Sequence, residues 1–181
     1  MEHDSRLRNA TAMLGLLKSN EEKLEKQTKI LIKTSKQYAQ EVFSTHVNDW
    51  TPFHAFVMKG CRKLVKMALK TGVDVNLQMG QPKGIPGKCS ALHLAANRGD
   101  VSIITVLLQN GANVNQLDTT NRTPIHYASS AGNTLAVKTL QRAGAHTNQC
   151  DRTPRIATKS AINPSSFVIP FVCVGKRPAS S

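Results

Sequence analysis

Aromatic residues are scarce: one tryptophan, two tyrosines and five phenylalanines in a chain of 181 residues. Any core must therefore be largely aliphatic, and a nucleic-acid surface built on interleaved stacking rings is disfavoured. Cysteine is sparse too. Cys61, Cys89, Cys150 and Cys173 lie 28, 61 and 23 residues apart with no C-x-x-C pair, which argues against a disulfide scaffold, a zinc site or a dithiol redox centre. Reduced thiols in an intracellular compartment, cytoplasmic or nuclear, are expected. Long apolar runs are missing. Phe167 to Val174 is broken by Pro170 and falls far short of the ~20 residues of a membrane helix. Glu2 and Asp4 precede a brief apolar patch, Met13 to Leu17, which reads against a secretory signal.

Acidic residues are few as well, 11 against 24 basic ones, for a net charge of +13. Residues 1 to 50 nearly balance, with eight basic and seven acidic, whereas residues 51 to 117 hold eight and two. The excess sits in the middle of the chain and in its tail, which favours an anionic partner.

What is present is an internal repeat. Thr51-Pro52-Phe53-His54-Ala55 opens a segment that continues through Gly60, Leu64-Val65, Leu69 and Gly72-Val73-Asp74-Val75-Asn76. Ser90-Ala91-Leu92-His93-Leu94-Ala95-Ala96 opens a second, with Gly99, Ile103-Ile104, Leu107-Leu108 and Gly111-Ala112-Asn113-Val114-Asn115. Thr123-Pro124-Ile125-His126-Tyr127-Ala128 opens a third, with Gly132, Ala136-Val137, Leu140 and Gly144-Ala145-His146-Thr147-Asn148. The second and third are offset by 33 residues, and the first and second by 39, a six-residue insertion. Each position has a local reason. Thr51, Ser90 and Thr123 can cap a helix, and Pro52 and Pro124 follow where a missing N–H is harmless. Gly60, Gly99 and Gly132 fall where a short helix must stop and the chain reverse. Leu64, Val65, Ala68 and Leu69 then form one apolar stripe of a second helix.

This 33-residue period, with T-P-L-H near its start and G-A-x-V-N near its end, resembles the ankyrin repeat over about residues 48 to 150. The resemblance implies an all-α solenoid of helix hairpins and projecting fingers. It also implies a structural hydrogen bond from each of His54, His93 and His126, and a plain turn role for Asn76 and Asn115, which some family members carry hydroxylated. Repeats are expected at 48–80, 87–119 and 120–150, with a degenerate fourth at 151–157, where Arg155 and Ile156 replace the expected leucine and histidine. Residues 1–47 are expected to form a helical cap: a helix opening at Ser19-x-x-Glu22 and running to about Ser44, with Ala39, Val42 and Phe43 covering the first repeat. Leu17, Leu24, Leu31 and Tyr38 recur every seven residues, but polar partner positions argue against a coiled coil. Residues 158–181 read as a disordered tail, and the off-pattern ending suggests a truncated form of a longer repeat protein.

Catalytic and cofactor signals fail on inspection. Equivalent histidines in a stack lie one repeat apart and cannot converge on one metal ion. Gly80 to Ser90 imitates a phosphate loop but has Pro82 at the first glycine position and Cys89 after Lys88; it reads as an irregular, lengthened finger. No enzyme, cofactor, metal or small-molecule substrate is expected. The resemblance places partner contacts on a concave surface: Met58, Lys59, Asn97, Arg98, Ser130 and Ala131 at the first-helix ends, and Gln78, Gln81, Lys83, Gln116, Leu117, Thr119, Asn121 and Arg122 in the fingers. Arg98 and Arg122 stand out as anchors for a protein with an acidic segment. The alternative is an electrostatic tether to nucleic acid or an anionic membrane, through Lys59 to Lys70 and the basic tail; such a charge run also reads simply as a solvated face.

Overall fold

The computed structural model describes residues 2–146, and every helix named below lies within them. Glu2–Ser19 (α1), Glu21–Thr34 (α2) and Lys36–Ser44 (α3) precede three hairpins. The hairpins are Pro52–Lys59 (α4) with Arg62–Thr71 (α5), Ala91–Arg98 (α6) with Val101–Gln109 (α7), and Pro124–Ser130 (α8) with Thr134–Arg142 (α9). No β-strand forms among the described residues, which carry only two isolated bridges, and the fold is an all-α repeat solenoid. The fourth-repeat start at 151–157 and the tail at 158–181 lie outside the described residues.

Inner helices α4, α6 and α8 stack on one another, and outer helices α5, α7 and α9 do the same behind them. Between the layers runs a continuous aliphatic core that includes Leu64, Val65, Leu92, Leu94, Ile103, Ile104, Leu107 and Leu140. A single hairpin has two apolar faces and one partner layer, so only stacking removes both from water.

Polar links fix the register. Thr51 Oγ1 accepts the His54 backbone N–H at 3.3 Å and lies 2.7 Å from its Nδ1, while His54 Nε2 reaches the Leu77 carbonyl at 3.0 Å. His93 repeats this: Nδ1 accepts the Ser90 amide at 3.1 Å, and Nε2 meets the Arg122 carbonyl at 3.1 Å. A backbone N–H aimed at Nδ1 leaves the proton on Nε2, so the ring is held neutral and donates forward along the stack.

The N-terminal region departs from the sequence expectation in three ways. An additional helix, α1, precedes the expected one; its Ala10, Met13, Leu14 and Leu17 are buried at i, i+3, i+4 and i+7 spacing. The α2 cap is Asn20 rather than Ser19, accepting the Lys23 amide at 2.9 Å. The run to Ser44 is also broken at Ser35, whose backbone is extended (φ −158°, ψ 119°) and whose hydroxyl accepts the Tyr38 amide to open α3. A Thr-Ser pair competes poorly for helix and well for a cap. The heptad residues consequently fall on three different helices. All three helices pack on the first hairpin, with Ala39, Val42 and Phe43 fully buried.

Two outcomes test this packing. Phe43, buried and edge-on to Phe56 with ring centroids 5.8 Å apart, should cost about 3–5 kcal/mol on truncation to alanine, read as a lower urea midpoint. Burial brings His54 down to about 4 from 6.5, against the opposing pull of the Leu77 carbonyl, and burial also lowers His93. Below pH ~6.5 the unfolded chain binds protons that the folded chain refuses, so stability is complete above that pH and falls towards pH 4, by roughly 3 kcal/mol for His54. Urea midpoints across that window should fall in the wild type and more shallowly in His54→Gln.

Candidate protein-interaction surface

The inner-helix ends and the fingers are built differently. Helices α4 and α6 end at Gly60 (φ 82°) and Gly99 (φ 76°), left-handed positions that suit glycine. The space a side chain would need there is taken by the next hairpin. Arg98 crosses back so that Nη1 donates to the Met58 carbonyl at 3.0 Å, and a Cβ on Gly60 would meet the guanidinium at 2.6 Å. Asn133 does the same one repeat on, its Nδ2 donating to the carbonyls of Ala96 at 3.0 Å and Asn97 at 2.8 Å. Orphan carbonyls at each helix end are thus satisfied from the neighbouring repeat. Arg98 is exposed but spends a donor inside the protein; Lys59, Ser130 and Ala131 are exposed, and Met58 and Asn97 are half-buried.

The first finger carries the insertion, which is irregular, as its glycines and prolines lead one to expect, but anchored. Met79 donates to the Cys89 carbonyl at 3.0 Å and Lys88 to the Met79 carbonyl at 3.3 Å, closing the loop, while Pro82 and Ile85 are buried beneath it. Two apolar residues within the insertion supply the anchorage that its turn-rich composition obscures. Gln81 and Lys83 are exposed on the outside, whereas the Gln78 backbone is engaged with Ser90 and with His46 Nε2 at 3.1 Å.

The second finger is organised by Asp118, which is 4% exposed. Its Oδ1 accepts the backbone amides of Thr120 at 2.7 Å and Arg122 at 2.9 Å, and Oδ2 accepts the Tyr127 hydroxyl at 2.5 Å. Burial alone would raise this carboxyl, but the Tyr127 hydroxyl, the Arg122 amide and Thr120 hold it below the ordinary value. The Thr119 amide donates to the Gly87 carbonyl at 3.0 Å, tying the second finger to the first and bringing Thr119 and Gln81 together over Gly87. Asn121 and Arg122 point to solvent beside them, and Leu117 is 40% exposed. Gln116 turns inward instead, donating to the Asn76 carbonyl at 3.3 Å.

Asn76 and Asn115 serve as rungs between fingers. Asn76 Oδ1 accepts the Asn113 amide at 2.7 Å, and Asn115 Oδ1 accepts the His146 amide at 2.9 Å. Among the described residues the two thiols, Cys61 and Cys89, are unreactive: burial pushes Cys89 up to about 12 and Cys61 to about 11. Among the described residues no cluster of three or more His, Cys, Asp or Glu could hold a metal ion, and no helix is long and apolar enough to cross a membrane.

Sequence reasoning missed Asp118, Tyr127, Asn133 and Lys88. Asp118 was open to detection, because an aspartate two residues before Thr120 and four before Arg122 is a turn-capping arrangement. Asn133 and Tyr127 act on other repeats, a relation that local pattern does not reveal.

A family model for ankyrin repeats in three copies matches residues 79–151, and one for the single ankyrin repeat matches residues 48–79. No curated protein matches the chain. With hairpins, left-handed glycines, histidine links and finger rungs recurring in register, and with these matches spanning more than half its length, the chain belongs to the ankyrin-repeat family.

Proposed function

We propose that this chain is a non-enzymatic adaptor that holds an acidic segment of another protein along the concave edge made by its two fingers. Ankyrin repeats are generally protein–protein interaction modules. The observation that carries the more specific reading is the preorganisation of the second finger: Asp118 fixes the Thr120 and Arg122 backbone from within, so Thr119, Asn121 and Arg122 reach a partner already ordered. The neighbouring first finger adds Lys83 and Lys88, both exposed. A guanidinium on one finger with two ammonium groups on the next suits a carboxylate-rich strand, with Arg122 gripping bidentately and the lysines steering the approach. Arg122 is the better anchor. Arg98 is already committed to the Met58 carbonyl, and its contribution is to hold the first two hairpins together. An intracellular compartment, cytoplasmic or nuclear, suits the buried, unpaired Cys61 and Cys89.

An NMR titration of the full chain with a glutamate-rich peptide containing one tyrosine tests the reading. Amide shifts should cluster at Lys83, Lys88, Thr119, Asn121 and Arg122. Arg122→Ala should weaken binding at least about tenfold without altering the fold, while Arg98→Ala should lower thermal stability more than affinity. Shifts centred on α5, or an unchanged affinity for Arg122→Ala, would refute the proposal.

A further inference from the structure

The opposite side of the stack carries a second cationic surface that the finger edge does not use. Helices α2 and α5 pack against each other and meet at their N-terminal ends, where Glu21 sits against Cys61 and Glu25 Oε2 is 3.8 Å from Lys63 Nζ. In α2 the buried side is Leu24 and Thr28, which at 100° per residue turns Lys26, Lys29 and Lys33 outward. In α5 the buried side is Leu64, Val65 and Ala68, which turns Lys63, Lys66 and Lys70 outward. All six are exposed, Lys63 to 82%. Against them stand Glu21, Glu22 and Glu25, the last two paired within α2 to Lys26 at 2.8 Å and Lys29 at 2.7 Å. Beyond Glu25 neither helix contains an acidic residue.

Along the outer layer the charge is interrupted at α7, where Thr105 and Gln109 stand at the repeat positions of Lys66 and Lys70, and resumes in α9. Helices α7 and α9 contain no acidic residue, and in α9 Lys138 and Arg142 stand at the repeat positions of Lys66 and Lys70. On the α2 ridge one apolar side chain interrupts the lysines: Ile30, 63% exposed, four residues after Lys26 and three before Lys33. It opens onto a cavity of about 390 Å³ between α1 and α2, lined also by Ala12, Met13, Leu31 and Tyr38.

We propose that the α2–α5 face docks on an anionic phospholipid surface, its lysines over the headgroups and Ile30 with its groove at the start of the acyl region. The chemistry separates this occupant from the others. Lysine ammonium groups are point charges without the fork that grips one carboxylate or phosphate, so they suit a diffuse field of anions better than a defined peptide. Two helices packed together offer a broad ridge, and no aromatic ring stands among the six lysines to stack a base. An exposed branched aliphatic residue among lysines is the composition of an interfacial helix face. Clusters of this size are enough to matter, because each lysine near such a surface contributes about fivefold to partitioning at low salt.

Co-sedimentation of the full chain with phosphatidylcholine vesicles, with and without phosphatidylserine, tests it. The chain should pellet with the phosphatidylserine vesicles, stay in solution with phosphatidylcholine alone, and dissociate as salt rises. Lys33→Gln/Lys66→Gln/Lys70→Gln should weaken partitioning on the order of a hundredfold, Ile30→Ser should weaken it further, and Arg122→Ala should leave it unchanged. All altered positions are exposed, so circular dichroism should show an intact fold. The proposal falls if the vesicles are ignored, if the triple variant binds them as the wild type does, or if duplex DNA or the glutamate-rich peptide competes more tightly for the same lysines. Loss of peptide binding with vesicle binding intact would refute only the finger-edge reading.

Discussion

A short helix hairpin with two apolar faces cannot satisfy itself, and everything else in this chain follows from that deficit. Each hairpin borrows its neighbour's side chains to leave water, so the stack is stable only as a row and both ends need covering. At the N-terminal end the cover is explicit: α1, α2 and α3 pack on α4 and α5, and Phe43 meets Phe56 edge to edge. Apolar stacking alone would allow the hairpins to slide. The histidine links, the asparagine rungs and the Arg98 and Asn133 crossings prevent it, because each pairs one buried or terminal polar group with one particular carbonyl or amide of the next unit.

That rigidity gives the surface its meaning. A finger whose backbone is already bonded to Asp118, and whose neighbour is bonded to it through Thr119 and Gly87, loses little freedom when a partner arrives. Helices α2 and α5 likewise hold their lysines on fixed rows, so the charge density of that face is a property of the fold. The two faces differ in chemistry as well as position. One presents a guanidinium beside polar groups, fit for a directed grip. The other presents ammonium groups beside an exposed isoleucine, fit for a diffuse anionic field.

The repeats were legible because their determinants are local: a capping hydroxyl three residues before a histidine, a glycine where the backbone turns left-handed, an aliphatic stripe at helical spacing. The N-terminal region was less so. Leu17, Leu24, Leu31 and Tyr38 suggest a single helix by their period, yet Asn20 and Ser35 divide the segment, because a side chain that caps the next helix outweighs a weak heptad. The inserted loop hides its order for a related reason. Gly and Pro advertise irregularity, while burial of Pro82 and Ile85 depends on surfaces far away in sequence. The commitment of Arg98 to Met58 was invisible for the same reason, since a residue's partner across 40 positions is set by the stack.

Hydrogen exchange resolved by segment, comparing the wild type with His93→Ala, reads the dependence of one repeat on the next most directly. If the hairpins hold each other in place, amides of α8 and of the 118–122 finger, which His93 reaches through the Tyr127 ring and the Arg122 carbonyl, should lose protection along with those of α6. Faster exchange confined to α6, with α8 and the finger as slow as before, would mean that the hairpins stand on their own and that this account of the fold is wrong.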